Sequence, residues 1–457
     1  MNPKSLIVIG GGPGGMAAAL EAVRQQIQVT LIEKQEIGGT CLNRGCIPSK
    51  FFLSKAKRYA ETAALPTKTD RISFAPSMVV LQQRKNSILT TLRQRMEQSF
   101  RGPLAKRIIG RAQLTSPNSV DVELADGKKE TLTADVLLLA TGTIPFKPAI
   151  FPNHPAIFDS TSLLELDHIP SHLVVIGAGY IGCELACAFQ GLGSKVTLIE
   201  KENRLLPTQD EMALAAPVLQ VSMEKRGMTV WLETQVEAVQ SLDDCRVKLR
   251  CSNGQTIETD ATLLAMGRRP DSAELFLDRA GVSLQNGRLQ VNERMQTAVP
   301  TLYAVGDLVS PLPLAHVAAR EAEVAVASMC GEPRAIDYTQ IPRCVYTWPE
   351  VAAVGLTEAQ AGAAGFTPRV DRYHFAASAK AMIEEEAEGF WLLISDRPTR
   401  KILGGQIVGP HATELIHLLS LSLKAGFRID DVLESVLAHP SLSEGFQEVA
   451  RRASITK

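Results

Sequence analysis

Short runs of apolar residues, each followed within two residues by glycine, recur along the chain. They occupy residues 6–9, 137–140, 173–176, 263–266 and 302–305. A strand that is apolar at every position is buried on both faces, as in a parallel sheet covered by helices. The pattern therefore predicts an α/β fold built on parallel sheets.

Other segments have different periods. Residues 49–62 and 77–100 have helical patterns and are expected to cover the first sheet. Near the C-terminus, the pattern predicts strands and helices in mixed order: strands at 390–394 and 401–408, helices at 413–425 and 430–437. This predicts a third, α+β domain.

Two segments of the chain repeat each other at an offset of 167 residues. Both copies end in the run Val-Thr-Leu-Ile-Glu-Lys, and matching glycines and acids recur in register: Gly10, Gly12, Gly15 and Glu33 in the first copy; Gly177, Gly179, Gly182 and Glu200 in the second. In a dinucleotide-binding unit, the first glycine allows a tight turn, the second admits a pyrophosphate, and the third lets the helix pack on the strand. The acid can bind a ribose diol. Two units predict two nucleotides.

The second acid bears on the choice of coenzyme. A carboxylate at Glu200 repels the 2′-phosphate of NADP and so favours NAD. Arg204, Arg268 and Arg269 would weaken that preference if their side chains reached the 2′-position. Asp307 follows another predicted strand, where it is either a turn residue or a partner for a cofactor hydroxyl.

Composition narrows the class of protein. The chain has 457 residues and a net charge of −1, which gives no general attraction to nucleic acid or to an anionic membrane. The N-terminal residues lead directly into a predicted strand without a signal-peptide pattern, which favours a cytoplasmic location. Most of the eight cysteines are expected to be thiols there, and six are interpreted as small core residues.

Cys41 and Cys46 differ from those six because they lie in a glycine-rich run directly after the first nucleotide unit. Two cysteines separated by four residues in this setting suggest a redox disulfide that exchanges electrons with a cofactor. Two unlinked thiols, or part of a metal site, are the alternatives.

Together these motifs resemble the flavin-dependent disulfide oxidoreductases, and the resemblance covers almost the whole chain. The runs Cys41–Lys50 and Ala438–Glu444 carry it most specifically. It implies an FAD-binding domain (1–145), an NAD-binding domain (146–270), a central segment that completes the FAD domain (271–337) and a dimerisation domain (338–457).

The resemblance also implies roles for single residues. Residues expected to contact FAD, beyond the first glycine loop, are Glu33, Lys50, Ala112, Gly142, Asp307 and Ala315. Those expected at the NAD site, beyond the second loop, are Glu200, Val236 and Gly267. Tyr180 would cover the flavin until the nicotinamide displaces it, and Glu184 would pair with Lys50 near the flavin.

Among family members, the motifs are most similar to those that oxidise protein-bound dihydrolipoamide with NAD. Substrate thiolate would attack Cys41, and Cys46 would pass electrons to the flavin. His439 would be the base, oriented by Glu444, and would act across the interface of a homodimer. The structural alternative is a capping box in which Ser441 and Glu444 begin a helix.

Two rival functions remain. One is an NADPH-dependent reductase of another low-molecular-weight disulfide, and the other is a flavin-bearing binding protein. The predicted partners are a second copy of the chain and the lipoyl-bearing proteins of 2-oxo acid dehydrogenase complexes or the glycine cleavage system. No nucleic acid, membrane or metal partner is expected.

Overall fold

The computed structural model describes residues 3–64, 76–332 and 334–455. The chain forms two compact units. The first comprises Met1–Phe51, Ser77–Phe146 and Gly267–Ile336, and the second comprises Phe52–Pro76, Lys147–Met266 and Asp337–Lys457.

The strands of the described residues are β1 (Ser5–Ile9), β2 (Gln28–Glu33), β3 (Ala105–Ser116), β4 (Ser119–Leu124), β5 (Lys129–Thr133), β6 (Val136–Leu139), β7 (Thr143–Pro145), β8 (Ile157–Phe158), β9 (His172–Ile176), β10 (Lys195–Ile199), β11 (Thr229–Trp231), β12 (Val236–Asp243), β13 (Arg246–Cys251), β14 (Thr256–Thr259), β15 (Ala261–Leu264), β16 (Arg268–Pro270), β17 (Leu284–Gln285), β18 (Arg288–Leu289), β19 (Leu302–Ala304), β20 (Arg343–Val345), β21 (Glu350–Gly355), β22 (Pro368–His374), β23 (Phe390–Asp396) and β24 (Ile402–Gly409).

The α-helices of the same residues are α1 (Pro13–Arg24), α2 (Gly39–Arg44), α3 (Cys46–Ala64), α4 (Met78–Ser99), α5 (Ser160–Leu163), α6 (Tyr180–Leu192), α7 (Ala216–Lys225), α8 (Ala315–Met329), α9 (Glu358–Ala363), α10 (Ala379–Ile383), α11 (Ala412–Ala425), α12 (Ile429–Glu434) and α13 (Glu444–Ser454).

The first unit is built on a seven-stranded sheet in the order β19-β6-β1-β2-β3-β4-β5. Its first five strands are parallel, and β3, β4 and β5 form an antiparallel extension. Apolar side chains alternate between the two faces of β1, so that Leu6 and Val8 join one core while Ile7 and Ile9 join the other. Burial on both faces explains why these strands are apolar throughout.

The second unit contains a parallel sheet in the order β11-β10-β9-β15-β8 and an antiparallel sheet, β20-β21-β24-β23-β22. Helices α11 and α13 pack on the antiparallel sheet, and α12 packs on α13, around a core that includes Trp391, Ile407 and Phe446. The predicted combination of α/β dinucleotide units with an α+β C-terminal region is confirmed.

Several local predictions need correction. The helix expected at 49–62 begins earlier, at Cys46, and the helix expected at 430–437 ends at Glu434. Cys183, Cys187 and Cys251 are buried as expected, but Cys245 is exposed in the turn between β12 and β13, where its thiol donates to Asp243. Cys245 therefore lies in an exposed turn and is not part of the hydrophobic core.

Candidate active site

The first glycine loop is shaped by close contacts at its ends. Gly10 has φ +104°, and a Cβ there would lie 2.4 Å from the carbonyl oxygen of Ala140. A Cβ on Gly15 would lie 1.8 Å from the Gly10 oxygen. At Gly12, by contrast, the nearest atom is 4.0 Å away. Packing therefore requires glycine at both ends, whereas open space lies over the middle one.

The second loop repeats this geometry. Gly177 has φ +100° and a Cβ there would meet the Ala265 oxygen at 2.4 Å, while a Cβ on Gly182 would meet the Gly177 oxygen at 1.9 Å. Nothing described lies within 4 Å of a Cβ on Gly179. Gly12 and Gly179 are the N-caps of α1 and α6. The space over two helix N-termini fits the pyrophosphates of FAD and NAD.

Each predicted ribose-binding acid is buried and held by its own loop. Glu33 accepts from the backbone N–H of Gly11 at 2.7 Å and of Gln35 at 2.9 Å. Glu200 accepts from Ala178 at 2.7 Å and Glu202 at 3.0 Å. Each carboxylate oxygen has a further lone pair that can accept a hydrogen bond from a ligand. The contact with ribose stays a prediction.

The arginines that could recruit a 2′-phosphate are mostly engaged elsewhere. Arg204 donates to the carbonyls of Leu206, Pro207 and Gln209 and to Asp210. In the first unit, Arg268 donates to the Thr143 hydroxyl and carbonyl. Neither can turn toward a phosphate without losing these bonds, so the structure favours NAD at the second loop.

Asp307 lies in a hydrogen-bonded cluster that the sequence does not reveal. Its Oδ2 accepts from Thr143 Oγ1 at 2.9 Å. The turn before it is fixed by Glu321, which has no exposed surface and accepts from the Gly306 N–H at 2.7 Å. Arg268 completes the cluster through Thr143. The Asp307 carboxylate is thereby held in place, whatever it binds.

The two cysteines of the redox run belong to different helices. Cys41 lies in α2, and Cys46 is the first residue of the long helix α3, where helix N–H groups favour a thiolate. Asn43, between them, donates to the carbonyls of Ile37 and Gly39 at 3.0 Å and so ties α2 to the preceding loop.

No disulfide joins Cys41 and Cys46 in the structure. A hydrogen bond to Cys46, together with burial, raises the pKa of Cys41 far above its ordinary value, although the Lys50 ammonium opposes the effect. The structure thus brings Cys41, Cys46, Lys50 and Asp307 into one neighbourhood, in which Cys41 keeps its proton and Cys46 accepts the hydrogen bond.

His439 and Glu444 form a pair in the second unit, where the His439 Nδ1 lies 2.9 Å from Glu444 Oε1. Glu444 Oε2 also accepts from the Ser441 N–H at 2.8 Å, and these two hydrogen bonds, the Ser441 one first, lower the pKa of Glu444. The reciprocal capping box is not formed, because α13 begins at Glu444 and the buried Ser441 hydroxyl has no partner among the described residues. The His439 side chain is 73% exposed and therefore accessible to a substrate.

Tyr180 and Glu184 lie in the first turns of α6. Burial, and next the nearby Glu211, raise the pKa of the Tyr180 phenol, which is therefore neutral. The buried Glu184 carboxylate accepts from the Tyr346 N–H at 3.1 Å. The expected pairing of Glu184 with Lys50 stays a prediction.

The remaining predicted site residues are backbone positions. Ala112 pairs with Val122 in the antiparallel extension, Ala315 is the first residue of α8, and Val236 is the first residue of β12. Gly142 and Gly267 have φ +69° and +111°, and both belong to the first unit, although Gly267 was expected at the NAD site.

In residues 3–64, 76–332 and 334–455, no group of three or more His, Cys, Asp and Glu side chains is arranged to hold a metal ion. None of the helices in the described ranges has an apolar stretch sufficient to cross a bilayer.

Comparison with known proteins defines the class. Residues 4–322 match the model of the pyridine nucleotide-disulphide oxidoreductase family, and residues 341–450 match the dimerisation domain of the same family. The chain belongs to this family, whose cofactors are FAD and NAD.

Particular relatives cover nearly the full length. The dihydrolipoyl dehydrogenase of Geobacillus stearothermophilus is 34% identical over 98% of this chain and 95% of its own. The mitochondrial dihydrolipoyl dehydrogenase of Pisum sativum is 36% identical over 98% and 91%. The crystal structure of LpdA from Mycobacterium tuberculosis has a TM-score of 0.90 at 29% identity, covering 99% of this chain and 100% of that one.

Proposed function

We propose that the chain oxidises protein-bound dihydrolipoyl groups to the cyclic disulfide and reduces NAD. The observation that carries the proposal is the His439–Glu444 pair at 2.9 Å, in a family member that also has the Cys41–Cys46 dithiol. Dithiol oxidation needs a group that removes two protons from the substrate, and an imidazole oriented by a carboxylate suits that task. The near-full-length similarity to dihydrolipoyl dehydrogenases supports the same substrate.

The thiol chemistry follows from the two sulfurs. His439 removes a proton from one substrate thiol, and the resulting thiolate attacks Cys41 of the oxidised pair, so that the Cys41–Cys46 bond breaks and Cys46 leaves as thiolate. The second substrate thiol then loses its proton and attacks the substrate sulfur bound to Cys41. The mixed disulfide breaks, the cyclic disulfide is released, and Cys41 leaves as a thiolate that takes up a proton. The position of Cys46 supports this order, because it is the first residue of α3, where helix N–H groups stabilise the departing thiolate.

The chain's other groups position the cofactors. Gly12 and Asp307 would hold FAD, and Gly179 and Glu200 would hold NAD. Bound FAD supplies the two-electron relay between the dithiol and NAD. Lys50 places a positive charge beside the cysteines, which favours the thiolate of the reduced pair.

We also propose that the functional unit is a homodimer, in which each chain is divided into the four segments predicted from the sequence. The match to a dimerisation domain supports it, as do two exposed apolar side chains in that domain: Leu421 is 69% exposed and Val436 is 96% exposed. The cytoplasmic location and the lipoyl-bearing partner proteins stay predictions.

The direct test is NADH formation by the FAD-loaded protein supplied with dihydrolipoamide and NAD, with NADP in a parallel reaction. Turnover with NAD and little or none with NADP is expected. A folded, FAD-replete sample that reduces neither coenzyme would contradict the proposal, and turnover with NADP would support the reductase of another disulfide instead.

A further inference from the structure

Beneath the first turn of α13 lies a tryptophan with no exposed surface. Trp391 belongs to the central part of the antiparallel sheet, where it pairs with Tyr373 and Ile407 on the neighbouring strands. Its ring stacks on Phe446 at 5.7 Å and 18°. The indole therefore contacts the helix whose first residue is Glu444.

The contact is closest at Gly445. A Cβ on Gly445 would lie 2.4 Å from Trp391 Nε1 and 2.5 Å from Cδ1, distances that no real Cβ tolerates. Gly445 is thus the residue that lets the helix start against the indole. Any larger residue there must move either the ring or the first turn that carries Glu444.

A hydrogen bond from the indole does not account for the tryptophan at position 391. Trp391 Nε1 is buried and has no hydrogen-bond partner among the described residues. A buried donor without a partner destabilises the fold, and an all-carbon side chain would avoid that cost. The tryptophan is therefore explained by its shape rather than by a hydrogen bond.

We propose that Trp391 is a positioning residue for dithiol oxidation: the indole against Gly445 fixes the first turn of α13 and, through it, the Glu444 carboxylate that holds His439. The inference rests on the proposed function of the His439–Glu444 pair. In this arrangement Trp391 on the sheet fixes the start of α13, and α13 in turn fixes the Glu444 carboxylate that holds His439.

A double-mutant cycle tests the contact. Gly445→Ala is expected to lower kcat/KM for dihydrolipoamide about tenfold, because misplacing a catalytic group by about 1 Å has a large effect. Trp391→Leu is expected to lower kcat/KM as well, because the first turn of α13 loses the ring on which it packs. Trp391→Phe retains a ring and is expected to stay near wild type. In the Trp391→Leu background, Gly445→Ala is expected to have little further effect, because the added methyl group occupies the space that the indole leaves.

Two further measurements separate positioning from general damage. The acid limb of the pH profile of kcat/KM for the dithiol is expected to move in Gly445→Ala in the same direction as in Glu444→Gln. Reduction of ferricyanide by NADH, which needs no dithiol base, is expected to stay unchanged in Gly445→Ala and in both Trp391 variants.

The chain offers a matched control in another glycine that faces a tryptophan. A Cβ on Gly191, in α6, would lie 2.7 Å from the Trp348 ring. Gly191→Ala is expected to lower Tm and leave the acid limb in place.

The outcomes are distinct. Equal effects of Gly445→Ala in the wild-type and Trp391→Leu backgrounds, or an unmoved acid limb, would overturn the inference. If Gly445→Ala yields no folded holoenzyme, the acid limb of Trp391→Leu decides alone. A wild-type protein with no dithiol turnover would instead overturn the proposed function.

Discussion

At the scale of single residues, Glu444 has two duties that the sequence leaves as alternatives. Its carboxylate accepts from the N–H of Ser441 and also holds the His439 ring. The same side chain therefore supports the start of a helix and holds the imidazole that we propose as the base. Its lowered pKa keeps the carboxylate ionised at any pH at which a thiol reaction proceeds.

Replacing Glu444 by Gln is expected to lower kcat/KM for dihydrolipoamide by about 10- to 100-fold, because a neutral amide stabilises the imidazolium poorly. The acid limb of the pH profile should move to lower pH. Steady-state rates between pH 5.5 and 9 would measure both effects, with NADH–ferricyanide activity as an internal reference. The matched control is Glu448→Gln on the same helix, since Glu448 pairs only with Arg451 among the ion pairs described; equal losses in the two variants would argue against a role for Glu444.

The residues of the candidate site differ in whether the sequence alone reveals them. Cys41, Cys46, His439 and Glu444 are visible because their spacing is distinctive. Glu321 and Thr143 are not, because their importance depends on contacts with residues about 15 and 164 positions away. Asp135 and Asp260 could have been found, since each precedes an apolar strand that is followed by glycine.

At the scale of elements, the two glycine loops separate two reasons for being glycine. Gly182 is required by contact with the Gly177 backbone, whereas Gly179 faces open space. Both appear identical in the sequence, because the motif does not distinguish internal packing from ligand approach.

Gly179→Ala and Gly182→Ala should therefore fail in different ways. Gly179→Ala is expected to fold with unchanged Tm and to raise the KM for NAD about tenfold, because the methyl group occupies the space of the pyrophosphate. Gly182→Ala is expected to lower Tm or prevent folding, because helix and strand must separate. Calorimetry and NAD titration of each variant would measure this; a stable Gly182→Ala protein would contradict the packing argument.

Two aspartates accept hydrogen bonds from backbone N–H groups at the start of the strands that lead into the glycine loops. Asp135 accepts from the N–H groups of Lys4 and Ser5, at 2.7 and 3.0 Å, and these bonds lower its pKa. Asp260 accepts in the same way from Ser171 and His172; burial opposes the shift, yet the net pKa is lowered.

Because the folded-state pKa of Asp135 lies below its unfolded value, its contribution to stability is fully present above about pH 4 and is lost as the pH falls through the folded value. Asp135→Asn is therefore expected to lower Tm by about 2 °C at pH 7. The difference from wild type should shrink as the pH approaches 3. Thermal unfolding across pH 3 to 7 would measure it, and a difference that grows with acidity would show the sign to be wrong.

At the scale of the whole molecule, the cysteines and the base belong to different compact units. The sequence predicts four segments from the two fingerprints and the change of pattern near residue 338, and their bounds stay a prediction. It does not reveal that α3 begins in one unit at Cys46 and ends in the other, because a continuous helical pattern does not mark which neighbours it packs on.

Val436→Asp tests the proposed homodimer. Val436 lies three residues before His439 and is almost fully exposed, so a charge there is expected to disrupt an apolar contact with a second copy. Sedimentation should show monomers, dithiol turnover should fall at least about tenfold, and NADH–ferricyanide activity should persist. The control is Val221→Asp, an exposed valine outside the matched dimerisation domain. A Val436→Asp protein that remains dimeric would place the interface elsewhere.

The near-identity of the two glycine loops has a consequence for how long each nucleotide stays bound. The loop contacts agree to within 0.1 Å at Gly15 and Gly182, and the acids accept from their loops at the same 2.7 Å. A prosthetic group that remains through many cycles and a coenzyme that leaves after each one would then meet the same cradle. Their different residence times must come from elsewhere, and the first unit has an additional feature in the Thr143–Asp307–Arg268 cluster. Retention of one nucleotide and release of the other are therefore set by what surrounds the repeated motif, not by the motif itself.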